Sequence, residues 1–346
     1  MKLSQHWLRG ASLLILPVIL FFLIRSIRID QKRTLRHLNP VKSMVFVANG
    51  RQLATYDGNH RLWDLPSRNL VRTQGGYISG GTIADSFVQQ GEMIAHFASE
   101  YEMELRDIQS GRLMRTVDWN NKINPRSEHI SAGVLSPDGK TLATATSTVR
   151  STLSGFTGNK LRLWDVATKK LRCVMAEPHV GFGSPIWSMT FSPDAKILAG
   201  ANADGFISLW DTQQGKLRHK LSGQSGLITI VFSPDGMFLA SGSSSNFFGQ
   251  QRDGSIKLWD VHKGILLRTF VSAGTGIRAL TFSPDSKKLA SGTINGNGNV
   301  WDVTTGHSLQ RLSSHKDAIL SLAFTPDGKT LATGSEDKTV KLWTIN

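Results

Sequence analysis

One dipeptide recurs along almost the whole chain, and its spacing restricts the fold more than any other feature. Trp-Asp stands at Trp63-Asp64, Trp164-Asp165, Trp210-Asp211, Trp259-Asp260 and Trp301-Asp302. Trp343-Thr344 and Arg106-Asp107 hold the same place in two divergent copies. These seven anchors are separated by 43, 58, 46, 49, 42 and 42 residues. A second motif precedes each: FVANGRQLA (46–54), FVQQGEMIA (87–95), LSPDGKTLA (135–143), FSPDAKILA (191–199), FSPDGMFLA (232–240), FSPDSKKLA (282–290) and FTPDGKTLA (324–332). Each sets a polar turn, usually with Pro, Asp or Gly, between two strand-like apolar patterns. Four short strands in 42–46 residues is the period of one blade of a β-propeller.

The two-part motif resembles that of the WD-repeat family of β-propellers over about residues 30–346. The resemblance implies an all-β fold of seven four-stranded blades around a central channel. Trp then ends strand c of each blade, and FSPDG is the turn between strands a and b. Counted back from the strand-a Phe, residues 31–37 align without gaps on residues 309–315. Residues 30–36 are therefore expected to complete blade seven, as in the family's ring closure, which removes exposed strand edges. Two domains follow: a membrane anchor with basic flanks at 1–29 and a propeller at 30–346.

The family also implies a buried hydrogen-bond network of His, Ser or Thr, Asp and Trp. Its closest matches are His37, Thr55, Asp57 and Trp63 in blade one, and His315, Ser335, Asp337 and Trp343 in blade seven. Partial matches are Asn202, Asp204 and Trp210 in blade four, and Thr293, Asn295 and Trp301 in blade six. These residues are expected to be structural rather than catalytic, because such polar groups sit paired inside blades.

Residues Gly10 to Ile24 read GASLLILPVILFFLI, without a charge, between Lys2 and Arg9 on one side and Arg25, Arg28, Lys32 and Arg33 on the other. A spanning helix needs about 20 residues and a signal h-region about 7–15. The run is read as an uncleaved N-terminal transmembrane helix, because no A-x-A-like site follows it. A cleaved signal and a soluble hydrophobic helix are the alternatives. The more basic flank follows the run, which predicts a cytoplasmic propeller.

No catalytic constellation is visible. Gly139-Lys140-Thr141 has the wrong upstream glycine spacing for a phosphate loop and lies between strands, not at a helix start. No nucleophile elbow, zincin motif or calcium loop occurs. The one cysteine, Cys173, excludes internal disulfides and multi-Cys zinc sites. No cofactor or metal is expected, and the chain is not expected to be an enzyme.

Lys and Arg number 40 against 26 Asp and Glu, a net charge of +14. Each outer strand is expected to carry one Arg: Arg33, Arg72, Arg115, Arg172, Arg218, Arg268 and Arg311. Charge on an exposed edge blocks edge-to-edge pairing, which is the favoured account; an anion-binding rim for nucleic acid or anionic lipid is the second.

Loop length separates the two faces. Relative to blade seven, the b–c connections of blades three and five carry insertions of 10 and 8 residues, and two d–a connections carry 6 and 4. In an up-and-down blade these connections share one face. Insertions confined to one face commonly mark a binding face. Candidate contacts are Arg150, Leu153 and Phe156 in blade three, Phe247, Phe248 and Arg252 in blade five, and Trp119, Phe182 and Trp187 on d–a loops. Aromatic and Arg side chains are the types that anchor interfaces. The expected function is a membrane-anchored scaffold for protein partners, built on a monomeric propeller.

Overall fold

Strand b of the regular repeats reads ILAGAN, FLASGS, KLASGT or TLATGS, and almost every residue in these strands is buried. A strand covered on both faces must use small residues where its neighbours approach. In the computed structural model these strands lie second in their sheets. The structure describes residues 34–75, 86–87, 93–99, 102–118, 128–149, 156–176, 185–202, 204–222, 226–243, 254–271 and 276–345. Among them, 28 strands form seven four-stranded sheets, and every pairing is antiparallel.

Six sheets take consecutive strands a to d. Blade one, for example, is Ser43–Val47, Gln52–Tyr56, Asn59–Asp64 and Asn69–Gly75. Blade seven differs. Its strands a, b and c are Ile319–Phe324, Thr330–Ser335 and Thr339–Thr344, and its outer strand is Thr34–Arg36. Thr34, Leu35 and Arg36 pair with Lys341, Val340 and Thr339. The N-terminal side of the propeller is thus pinned to its last blade.

Seven apolar clusters join the blades, one at each seam. The seam between blades two and three holds Ala95, Met103, Leu105 and Val117 against Ile130, Leu135, Leu142, Trp164 and Val166. Comparable clusters join three to four, four to five, five to six and six to seven. Leu35, Val340 and Ala332 meet Phe46, Leu53 and Trp63 to close seven onto one. The remaining seam, one to two, holds only Val47, Ala54, Leu62 and Ile108, with Val45 beside them. The ring is closed by side-chain packing as well as by strand pairing, the arrangement of a seven-bladed propeller.

The small residues of strand b have a specific use. A Cβ on Gly242 would lie 2.5 Å from Ile277 Cγ2, and one on Gly292 would lie 2.5 Å from Ile319 Cγ2. The first Ile of each following strand a fills that space. No helix among the described residues is long and apolar enough to cross a membrane. The charge-free run 10–24 lies outside the described residues.

Candidate functional site

The buried polar groups form chains that run through single blades. In blade seven, Trp343 Nε1 donates to Thr333 Oγ1 at 2.9 Å. Thr333 Oγ1 lies 2.6 Å from His315 Nε2, and His315 Nδ1 lies 2.9 Å from Asp337 Oδ2. One set of protons satisfies all three contacts: neutral His315, protonated on Nδ1, accepts from Thr333 and donates to Asp337. Burial is the main influence on His315 and drives its pKa down, against the opposing pull of Asp337. Burial alone would raise the Asp337 carboxyl, but Thr339, the Lys316 amide and His315 together hold it below the usual carboxylate range.

Blade one builds the same chain with a break. Trp63 Nε1 donates to Thr55 Oγ1 at 3.1 Å, and His37 Nδ1 meets Asp57 Oδ2 at 3.2 Å. Arg61 Nε donates to the same Asp57 oxygen at 2.9 Å. His37 Nε2, however, is buried with no partner among the described residues. Burial again lowers the His37 pKa.

The structure corrects one assignment. Thr333, not Ser335, bonds Trp343; Ser335 Oγ instead donates to Asp317 O at 2.9 Å. In blade six the acceptor is Ser291, not Thr293. The signal lay two residues after the strand-b Leu: Thr55, Thr144, Ser241, Ser291 and Thr333 all accept from their Trp. Blade one has a b–c turn two residues shorter, so matching back from Asp found the right residue only there. Blade four has Gly200 at that register, and buried Trp210 Nε1 has no partner. These chains are structural: apart from His37 Nε2 and Trp210 Nε1, their polar atoms bond one another inside the blade.

The Asp of Trp-Asp has a different task. Its carboxylate accepts the amide three residues on: Ser67 on Asp64, Ser110 on Asp107, Thr168 on Asp165 and Thr305 on Asp302. This cap makes the c–d turn and survives in blade two, where Arg106 replaces Trp. The a–b turn is capped likewise. Ser136 Oγ donates to Asp138 at 2.6 Å and accepts the Thr141 amide, while Asp138 accepts the Lys140 amide. Gly139, Lys140 and Thr141 are thus parts of a hairpin turn.

Three of the outer-strand arginines hold neighbouring blades together. Arg72 donates to Gln109 O, Arg115 to Val166 O, and Arg268 to Thr304 O and Thr305 O, each in the following blade. Arg172 and Arg218 bond Thr141 and Asp211 within their own blades. Arg311 has no side-chain partner among the described residues, and Arg33 lies outside them. Edge protection and a free cationic rim both miss this clasping of backbone carbonyls.

Blade three departs from the others on the face of the b–c and d–a connections. Its strands b and c are Thr141–Val149 and Phe156–Asp165. Their ladder runs from Thr141↔Asp165 to Val149↔Phe156, whereas that of blade seven stops at Gly334↔Val340. The extra rungs lift a hairpin about 10 Å above the regular blade. Part of what the sequence presents as a loop insertion is therefore strand.

Comparison with known proteins agrees with this geometry. The model of the WD domain, G-beta repeat, matches residues 173–211, 215–260, 264–302 and 306–344. These are WD repeats. Each matched WD run begins near an outer strand and ends after strand c of the next blade. That stagger is the reason blade seven takes its strand d from before the first repeat. Transducin beta-like protein 3 of Bos taurus is 26% identical over 191 residues, 55% of this chain and 21% of that protein. WD repeat-containing protein SL1-17 of Schistosoma mansoni is 32% identical over 151 residues, 42% of this chain and 45% of that protein. Autophagy-related protein 16 of Arabidopsis thaliana is 27% identical over 248 residues, 70% of this chain and 43% of that protein. The chain spans less than half the length of each of these relatives.

Of the candidate contacts on the WD propeller, Arg150, Leu153, Phe247, Phe248, Arg252, Trp119 and Phe182 lie outside the described residues. Phe156 opens strand c of blade three, opposite Val149. Trp187 is not on a d–a loop. It lies in strand a of blade four, Ile186–Phe191, half-buried, at a slip in the a–b ladder. Ile186 before it is buried in the seam to blade three, which draws the chain into the sheet one residue earlier than the sequence suggests. No group of three or more metal-ligating side chains occurs among the described residues.

Proposed function

We propose that this WD propeller is a non-catalytic scaffold that holds protein partners on the face of its b–c and d–a connections. The observation that carries this reading is the projecting hairpin of blade three, which no regular blade geometry requires. Phe156 opens strand c of that hairpin; in sequence, Arg150 and Leu153 fall within the insertion of blade three, and Phe247, Phe248 and Arg252 within that of blade five. The match to WD repeats and to WD-repeat relatives supports the class. Nucleic acid or anionic lipid on the outer rim is disfavoured, because Arg72, Arg115 and Arg268 already donate to backbone carbonyls.

The second part of the proposal is a membrane tether on the cytoplasmic side. Its support is the charge-free run 10–24 and the more basic flank after it. Nine residues separate that run from Thr34, a reach of about 30 Å. Thr34 pairs with Lys341 and Arg36 with Thr339, so the outer strand starts on the a–b and c–d side. A tether there leaves the opposite, hairpin-bearing face open to partners.

The test is capture from solubilised membranes with the intact chain and with a variant whose residues 148–157 are replaced by a two-residue turn. Partners retained only by the intact chain support the face. Identical capture by both removes blade three from it. Protease digestion of sealed vesicles tests sidedness; cleavage of the propeller from the non-cytoplasmic side reverses the assignment.

A further inference from the structure

Five inner strands carry the same irregularity at the same place. The a–b ladder slips by one residue between Ile130 and Ala132, Ile186 and Ser188, Leu227 and Thr229, Ile277 and Ala279, and Ile319 and Ser321. Each slip leaves one residue outside the pairing: Ser131, Trp187, Ile228, Arg278 and Leu320. A bulge re-aims a side chain, and bulges concentrate beside functional sites. In blade one, Lys42 follows buried Val41 at the corresponding point, and its amide bonds Tyr56 O.

In blades one, three, four, six and seven the residue before this point is an anchor. Val41, Ile130, Ile186, Ile277 and Ile319 are all buried. The residue that follows is turned outward. Lys42 and Arg278 are exposed, and Ser131, Trp187 and Leu320 are half-buried. The slips lie where strand a begins, on the face that bears the blade-three hairpin. First strands of blades three to seven and one abut in ring order, so neighbours at this register stand about 10 Å apart. Read around the ring, Trp187, Arg278, Leu320 and Lys42 form an arc in which two cations flank an aliphatic side chain.

The charge of this arc is one-sided. The side chains of Arg278 and Lys42 have no hydrogen-bond or ion-pair partner among the described residues. No acid occupies the register. Among the described residues of blades four to seven and one, which carry the arc, the acids on the same face lie in the turns: Asp57 and Asp337 are bonded to His37 and His315, and Asp204, Asp317 and Glu336 are in d–a or b–c connections. An exposed unpaired guanidinium fits a carboxylate bidentately, and an aromatic residue with Arg is the composition of an interface anchor.

We propose that Trp187, Arg278, Leu320 and Lys42 form one site for an extended acidic peptide segment of a partner protein. Carboxylates meet Arg278 and Lys42, an apolar side chain between them rests on Leu320, and one beyond Arg278, past blade five, reaches Trp187. This site refines the protein-binding face proposed above and depends on it.

The test uses the full chain and a fluorescein-labelled peptide alternating Glu and Leu, with a Lys and Leu counterpart as control, read by anisotropy. The acidic peptide is expected to bind, and more weakly as salt rises. Arg278→Glu is expected to weaken it by about tenfold or more and to favour the basic peptide instead. Arg278→Gln and Trp187→Ala are expected to weaken it less, and Lys170→Glu on the opposite face to leave it unchanged. Thermal melts of each variant identify any loss of fold, and Arg278→Gln keeps the test valid if the charge reversal unfolds. No binding of the acidic peptide to the unaltered chain, or equal binding to Arg278→Glu and Arg278→Gln, overturns the site. A captured partner that is lost on shortening the blade-three hairpin but survives Arg278→Glu leaves the face standing and removes this site from it.

Discussion

Blade two meets its two neighbours in opposite ways. Toward blade three it packs Ala95, Met103, Leu105 and Val117 around Trp164, which is 1% exposed. Toward blade one it offers Ile108 alone among buried apolar side chains. Each Trp of the repeat packs into the seam with the blade before it: Trp63 on seven, Trp210 on three, Trp259 on four and Trp301 on five. Blade two has Arg106 in that position, so the seam to blade one lacks its wedge. Polar contacts replace it. Arg72 and Gln74 reach Gln109 O and Gly111 O across the seam and Gln109 donates to Gln52, while Arg106 pairs with Glu104 of its own strand at 2.7 Å. A small cleft remains between the blades, lined by Ala54, Thr55, His60, Arg61, Leu62, Arg72, Gln74 and Ile108. The backbone ladder and the Asp107 turn are intact. The comparison separates two jobs of the Trp-Asp pair: Asp shapes the blade, and Trp joins it to its neighbour.

The largest test of that division is truncation of the wedge. Trp164→Ala is expected to cost about 3–5 kcal/mol, as for large aromatic deletions in cores. Arg106→Ala is expected to cost no more than about 1 kcal/mol, because it removes a partly exposed ion pair. Chemical denaturation of both variants decides it; equal losses break the comparison.

A smaller loss is expected from the wedge's own anchor. Thr144 is fully buried and accepts from Trp164 Nε1 at 2.9 Å. Thr144→Val leaves that donor unpaired at a cost of about 1–3 kcal/mol, whereas Thr144→Ser keeps the acceptor. A stable Val variant with an unchanged melt shows that the indole is held by packing alone.

A polar region differs from an apolar one in answering to pH. His37, Asp57 and Arg61 bond one another in blade one, and His315 pairs with Asp337 in the adjoining blade seven. Both histidines have folded pKa values below the ordinary 6.5 because burial disfavours the charged ring. The unfolded chain therefore binds their protons first. Their contribution is complete above about 6.5 and is lost as pH falls from there toward the lowered folded values. The melting temperature is expected to drop between pH 7.5 and 5.5, and to drop less in His37→Asn and His315→Asn. An identical slope in the variants sinks this assignment. The carboxylates Asp57 and Asp337 add a second loss at still lower pH, below the ordinary 3.8.

The smallest effects are expected in the a–b turns. Ala195 and Ser286 adopt φ of 59°, where other blades have Gly139, Gly236 and Gly328. Ala195→Gly is expected to stabilise by about 1 kcal/mol, by relieving left-handed strain. Ser286→Gly is expected to gain less, because Ser286 Oγ accepts the Asp235 amide across a seam. A larger gain at Ser286 would show that this bridge contributes little.

Much of the architecture is visible in the residues. The FSPDG and Trp-Asp motifs locate the a–b and c–d turns because each turn is made by its own Asp and Ser or Thr, within a few positions. The hydroxyl that serves Trp was misplaced in blades six and seven because its register depends on the length of an intervening turn. Trp187 was misplaced because a bulge is a property of two paired strands and leaves no mark in one of them. The insertions of blades three and five stand out by length, but length does not say that Thr148 and Val149 pair with Thr157 and Phe156.

The sequence by itself determined the number of repeats, the chemistry of their turns and the place where the pattern weakens, at Arg106. These are local properties, fixed by side chains that act within one hairpin. Only the tertiary structure decided which seams are apolar and which polar, where the arginines of the outer strands are engaged, and which residues gather at the start of the inner strands. Arg72 meets Gln109 O, and Arg278 comes beside Leu320, only because neighbouring blades are set side by side around a ring. Those distances between blades are set by the packing of seven sheets together, and no single repeat contains them.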